Sequence, residues 1–289
     1  MPDFVTVPDP VAGPQATGRL RYDRRPGPPS APTTPLVLVG GMTQTVSSWG
    51  GQLRPLSRTR DVLAYEARGQ GATALSLAQA DLPRHVEDFV AMVQSLRLPT
   101  PVDLCGFSFG ARVSLAIAAT QPALVRRLVL SGLGLDRGVV GRLIVDGWIA
   151  ALRTGDLEAL ARVSLTDIVG PDYLEAHAQL VEPMVRAVVQ RNSFAGISAL
   201  FQQTLRPPEG SPWTPEALAP RVQCHALVMG GQLDRLAPPD EVRQLAQRMG
   251  ARYRCLPQAG HTIPIEAADA WREAVLELLD APDPPVNPQ

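Results

Sequence analysis

The sequence predicts an α/β protein: a mostly parallel central sheet with helices on both faces and an all-helical segment inserted between two strands. Three observations carry this prediction. Short apolar runs bounded by glycine recur along the chain and alternate with longer amphipathic segments. The alternation stops between about residues 137 and 213, where the periodicity is helical throughout. Both ends are rich in proline, which removes backbone donors and reads as loop or tail.

Taken in order, the proline-rich stretches 7–14 and 25–35 flank residues 16–23, whose alternation suits an edge strand. Apolar strands follow at 36–39 (LVLV), 62–65 (VLAY), 102–105 (VDLC), 128–130 within RRLVLSG, 226–229 (ALVM) and 253–256 (YRCL). Runs with no polar face imply strands buried on both sides. Helical periodicity marks 82–96, 108–120, 239–249 and 265–279. In the last of these Ala267, Trp271, Val275 and Leu278 share one face. Further helical segments at 143–152, 157–163, 173–190 and 197–205 fill the interruption. The organisation read from this is a core at 1–136 and 216–289, with a helical lid at 137–215. A chain of 289 residues, 45% of them apolar, is long enough to bury one large core.

Composition narrows the function classes. A formal charge of −1 gives no electrostatic basis for binding nucleic acid or an anionic membrane surface. No apolar run approaches the ~18 residues that span a bilayer. Met1-Pro2-Asp3-Phe4 has neither the basic start nor the apolar run of a secretory signal. Cys105, Cys224 and Cys255 are odd in number, lie in or beside strand-like runs and lack metal-ligand spacing. Reduced thiols in a cytoplasmic protein are the expectation, with a small-molecule substrate as partner and no metal or cofactor.

Gly106-Phe107-Ser108-Phe109-Gly110 follows the strand VDLC and opens a helix. GxSxG alone is a weak signal, and a serine capping a helix is the plain alternative. Between a strand and a helix, however, the glycines permit a sharp turn that lifts the hydroxyl above the sheet edge. A serine hydroxyl needs a base within hydrogen-bond reach. Of four histidines, His85 lies in a helix, His177 in the lid and His225 just before a strand, where structural roles are favoured. His261 leaves the last strand and precedes the last helix, so it sits at the carboxyl edge of the sheet, where ligands gather.

The base in turn needs an acid that orients it. Asp234 lies in the loop MGGQLD after the strand ALVM and before Pro238-Pro239. Asp136, in SGLGLD after the preceding strand, is the rival; the glycine-opened, proline-closed loop favours Asp234. Oxyanion donors are expected at Phe109 N–H, next to the serine, and at Met42 N–H in the loop Gly40-Gly41-Met42, whose glycines let the backbone approach a ligand.

Together LVLVGGM, SSWGGQLRPL, VLAYEARGQG, VDLCGFSFGARVSLA, RRLVLSGLG, ALVMGGQLD and QAGHTIPIEAAD resemble successive blocks of the α/β-hydrolase superfamily. The chain is similar to its lid-bearing small-molecule branch of esterases, enol-lactonases and carbon–carbon hydrolases. The resemblance implies Ser108, Asp234 and His261 as the triad and Met42 and Phe109 as oxyanion donors. Two blocks depart from the pattern. The usual His-Gly reads Gly40-Gly41, removing a histidine that braces the oxyanion loop. The usual Asp-x-Arg-Gly-His-Gly reads Glu66-Ala67-Arg68-Gly69-Gln70-Gly71 and keeps Arg68 in a structural role.

Gly41, Arg112, Trp148 and Phe194 are the candidate substrate contacts. The lid aromatics suggest an apolar pocket, the alternative being that they pack the lid onto the core. In the menaquinone-pathway synthase branch an Arg at the place of Arg112 binds a substrate carboxylate. The rest of that branch's pattern is missing here, and a structural ion pair is favoured for Arg112. The expected reaction is hydrolysis of an ester, lactone or related acyl bond. The alternatives are the same triad in carbon–carbon lysis or perhydrolysis, and a non-catalytic binding protein.

Overall fold

The computed structural model describes residues 3–205 and 207–282. Eight strands form one sheet: β1 (Asp3–Pro8), β2 (Thr17–Arg25), β3 (Leu36–Val39), β4 (Val62–Tyr65), β5 (Val102–Phe107), β6 (Val125–Ser131), β7 (His225–Gly231) and β8 (Arg252–Leu256). Their order is β1-β2-β4-β3-β5-β6-β7-β8. The pairs β1–β2 and β2–β4 are antiparallel and all others parallel.

Side chains along a strand alternate between faces, and this splits the core in two. Val37 and Val39 enter the larger cluster, with Phe89 of α2 (Leu82–Ser95), Val113 of α3 (Phe109–Thr120) and Leu245 of α10 (Pro239–Met249). Leu36 and Leu38 enter the other, with Leu53 of α1 (Gly50–Leu56) and Trp271 of α12 (Ala268–Asp280). The helices α4 (Gly138–Leu152), α5 (Leu157–Ile168), α6 (Pro171–Ala176), α7 (Val181–Arg191), α8 (Phe194–Thr204) and α9 (Pro215–Leu218) all lie between β6 and β7 in the chain. A short α11 (Ile263–Glu266) precedes α12.

The structure corrects three expectations. Residues 16–23 fall in the second strand of the sheet, not at its edge. The edge is β1, which includes Val7 and Pro8 of the proline-rich stretch 7–14. β1 turns only Val5 and Val7 inward, too few to register as alternation, and Pro8 ends it. Residues 173–190 form two helices rather than one. Pro183, in the first turn of α7, would clash with the carbonyl four residues earlier if the helix were continuous. The final helical segment begins two residues early and breaks at Ala267 (φ −124°, ψ 48°).

Strand order reverses between β3 and β5: the chain leaves β3 for β4 on one side and returns as β5 on the other. The crevice outside the carboxyl ends of such strands is where open α/β sheets bind ligands. Gly40 follows β3 and Ser108 follows β5, so both lie at this point. The loops after β6, β7 and β8 open onto the same edge.

Candidate active site

Ser108 sits between β5 and α3 with φ +54° and ψ −113°, a conformation that L-residues rarely adopt. Its neighbours make the elbow possible. A Cβ on Gly106 would run into the Gly110 carbonyl, and one on Gly110 into the Val39 carbonyl. The serine N–H is anchored to Ser131 O at 2.8 Å. Its Oγ lies 2.8 Å from His261 Nε2.

His261 is buried, and its Nδ1 lies 2.7 Å from Asp234 Oδ2. The other carboxylate oxygen, Oδ1, accepts the Leu236 and Ala237 N–H groups, each at 2.8 Å. Those two donors hold the carboxylate so that Oδ2 faces the imidazole. The ring packs on Phe107 with centroids 5.2 Å apart. Gly132 (φ +66°) passes beneath it, where a Cβ would come within 3.0 Å of His261 Cε1. Asp136, the rival acid, lines the same cavity as Ser108, but its side chain is 61% exposed and pairs with Arg142 at 2.8 Å, while the imidazole pairs with Asp234.

The backbone around the histidine is tied to the helical insertion. Ile168 O accepts both the His261 and Thr262 N–H groups, at 2.9 and 3.0 Å. Glu266 Oε2 accepts Gly260 N–H and Gly170 N–H, both at 2.8 Å. Its Oε1 accepts the Thr262 N–H and hydroxyl, at 2.9 and 2.7 Å. One carboxylate therefore grips the residues on either side of His261 together with the α5–α6 junction.

Ser108 and His261 line a cavity of about 620 Å³, whose apolar wall includes Leu133, Val145, Leu205 and Leu236. Arg112 lines it too, one helical turn beyond the serine. It is buried, and its Nη1 donates to Thr204 O at 2.6 Å. Among the described residues no carboxylate lies within ion-pair distance of Arg112, so the expected structural ion pair is replaced by a bond to the carbonyl end of α8. Burial, and then the nearby Arg137, pull its pKa down to about 9.

Trp148 and Phe194 are not among the residues lining this cavity. Trp148 is buried within the insertion, its ring N–H donating to Asp167 at 2.8 Å, and Phe194 is 41% exposed at the start of α8. Small aliphatic residues, not aromatics, supply the apolar wall. The remaining histidines lie apart from the relay. His85 bonds Ala80 O and packs edge-on against the Phe109 ring, with burial lowering its pKa to about 4. His177 stacks on Tyr173, and His225 is exposed at the start of β7.

Arg68 is buried, with Asp88 accepting two of its N–H groups at 2.8 and 2.7 Å and Asp9 a third at 2.9 Å. Among the described residues no group of three His, Cys, Asp or Glu side chains is placed to hold a metal ion. No helix there is long and apolar enough to cross a membrane.

A mostly parallel sheet with this topology, a serine on its strand-to-helix elbow and a histidine on the same edge, has the fold of the α/β hydrolases. A profile of the alpha/beta hydrolase family matches residues 36–275, and the chain belongs to that family. It is similar to pyrrolizixenacetamide deacetylase of Xenorhabdus hominickii, 29% identical over 256 residues, which are 86% of this chain and 92% of that protein. Serine hydrolase BPHL of Mus musculus is 27% identical over 251 residues, covering 84% of this chain and 78% of its own length. The solved enol-lactonase from Burkholderia xenovorans LB400 superposes with a TM-score of 0.78 at 25% identity, covering 91% of this chain and 97% of that one.

Proposed function

We propose that this α/β hydrolase is a serine hydrolase that cleaves an ester, lactone or related acyl bond of a small organic molecule through an acyl-enzyme. One observation carries the reading: an unbroken relay from Ser108 Oγ to His261 Nε2 (2.8 Å) and from His261 Nδ1 to Asp234 Oδ2 (2.7 Å), at the wall of a cavity. In this reading His261 accepts the Ser108 proton as Oγ attacks the acyl carbon. Asp234 holds Nδ1–H and stabilises the imidazolium. The oxyanion is received by Met42 N–H and by Phe109 N–H, the latter in the first turn of α3, where backbone N–H groups have no partner within the helix. The imidazolium protonates the leaving group, and water, deprotonated by His261, then releases the acyl group and restores Ser108. The deacetylase, serine hydrolase and enol-lactonase relatives support acyl chemistry on small molecules. Residues 137–215 act as the lid, and the three free thiols suit a reducing cytoplasm.

A fluorophosphonate probe at neutral pH labels Ser108, read by mass spectrometry of the digested protein. Labelling at another residue, or none in folded protein, overturns the assignment and favours a binding protein on this fold.

Arg112 supports a finer statement of substrate. It is a buried cation, unpaired with any acid among the described residues, in the cavity that holds Ser108. The half-buried Arg137 lines the same cavity, and burial lowers its pKa as well. Asp136, Asp146 and Glu216 also line the cavity, and Asp136 acts on Arg137, so a substrate carboxylate would pair with Arg112. A charge-assisted hydrogen bond of about 1.5–3 kcal/mol corresponds to a KM change of roughly ten- to a hundredfold. Arg112→Gln therefore raises KM for a mono-p-nitrophenyl ester of a short dicarboxylic acid by that factor, while p-nitrophenyl acetate is little affected. Equal losses for both esters would return Arg112 to a purely structural role.

A further inference from the structure

The departure of the oxyanion loop from its family pattern has a structural answer in two glutamines. At Gly40 there is no side chain, and a Cβ there would lie 3.2 Å from Gln44 Cβ. Gln44 occupies that flank and turns its Oε1 to accept Gly41 N–H at 2.9 Å. The Gly41 carbonyl faces the opposite way and accepts a hydrogen bond from Nε2 of the buried Gln70 at 2.7 Å. Both polar groups of Gly41 are thus held by side-chain amides, and the backbone partners decide which end each amide presents.

Met42 is also held from its other side. Thr43 has φ +66°, and its carbonyl accepts Asn192 Nδ2 at 2.9 Å. Asn192, at the end of α7, uses its Oδ1 to accept Gly71 N–H at 3.1 Å, next to Gln70. Glu66 closes the arrangement, accepting Val46 N–H at 3.1 Å and Ala72 N–H at 2.7 Å. The two loops are laced together on both sides of a single residue, the one whose N–H points to the oxyanion in the reading above.

We infer that Gln44 and Gln70 are positioning residues for the oxyanion donor Met42 N–H, replacing with two neutral amides the bracing that the family's histidine supplies. The inference rests on the serine-hydrolase reading. An oxyanion hole works only if its donors are fixed before charge develops. Gly41 has no side chain to lock its own torsions, so external hydrogen bonds must do so. Gln44 acts as an acceptor and Gln70 as a donor, which makes the two sites respond oppositely to the same replacement.

The experiment compares Gln70→Glu, Gln70→His, Gln44→Met and Gln44→Glu. For each, kcat and KM on p-nitrophenyl acetate, Ki for an aryl trifluoromethyl ketone and the melting temperature are measured. Displacement of a catalytic group by about 1 Å costs on the order of 10²-fold, so Gln70→Glu and Gln44→Met lower kcat roughly ten- to a hundredfold with KM little changed. The trifluoromethyl ketone, which forms an oxyanion on the serine, weakens by the same factor as kcat. Gln44→Glu, which keeps the acceptor, recovers most of what Gln44→Met loses; Gln70→His, which restores a donor, recovers most of what Gln70→Glu loses. If Gln70→Glu retains both kcat and ketone affinity, or if losses track melting temperature alone with no rescue, the brace is overturned. Failure of the probe to label Ser108 in the unmodified protein overturns the hydrolase reading instead, so the two failures are separable.

Discussion

Asp234→Asn lowers kcat by about 10⁴-fold, the size of the corresponding change in a serine protease, while Asp136→Asn leaves kcat within about threefold. The difference follows from two backbone donors. Leu236 N–H and Ala237 N–H both point at Oδ1 of Asp234. An asparagine must keep its carbonyl oxygen toward them, because its NH₂ would otherwise face two N–H groups. Its NH₂ then faces His261 Nδ1 and donates to it, leaving the imidazole proton on Nε2. That nitrogen no longer accepts the Ser108 proton, and the relay is reversed at its centre. Asp136 has no such position: it is an exposed carboxylate beside Arg142. Steady-state kinetics on one activated ester decides the matter. Equal kcat for Asp234→Asn and the unmodified protein would remove Asp234 from the mechanism.

Ser108→Ala and Ser108→Gly both abolish turnover, by about 10⁶-fold if the loss matches that of a serine protease nucleophile. Their stabilities separate. Backbone strain at φ +54° costs about 1–3 kcal/mol for a residue with a Cβ, and glycine is relieved of it. Glycine loses about 0.5–1 kcal/mol through its freer unfolded chain. The balance favours Ser108→Gly, which melts above Ser108→Ala, by about 2–4 °C per kcal/mol for a domain of 150–250 residues and slightly less for a longer one. Equal melting temperatures would mean that the elbow stores no strain. Activity loss without labelling by a fluorophosphonate in either variant is the matching control.

Much of this architecture is legible in the sequence because its signals are local. The runs LVLV and VLAY are buried on both faces, so they read as strands without any knowledge of their neighbours. The serine, histidine and second acid stand out for a similar reason: each lies on a loop directly after such a strand. What stays hidden depends on contacts between distant segments. Glu266 reads as an ordinary helix residue until the chain brings Gly170 and Gly260 to it. Gln70 is visible only as a departure from a pattern, and Gln44 carries no signal. Trp148 and Phe194 illustrate the reverse error: aromatic character does not say which way a helix turns its side chain, and Leu133 and Leu236 take the wall instead. The single helix expected over 173–190 breaks at His177 (φ −127°, ψ 34°), and Pro183 then blocks a continuous hydrogen-bond ladder into α7.

The grip of Glu266 on both flanks of His261 and on Gly170 bears on how such proteins diversify. The helical insertion between β6 and β7 is not a detachable module. Its residues 168–170 supply the carbonyl that receives the His261 and Thr262 N–H groups and the amide that shares the Glu266 carboxylate. A transplanted insertion that replaced this junction would take away the carbonyl that receives His261 N–H and one of the donors that hold the Glu266 carboxylate beside the imidazole. The natural cut points for grafting therefore lie on either side of α5–α6, with that corner left attached to the core and only the flanking helices exchanged.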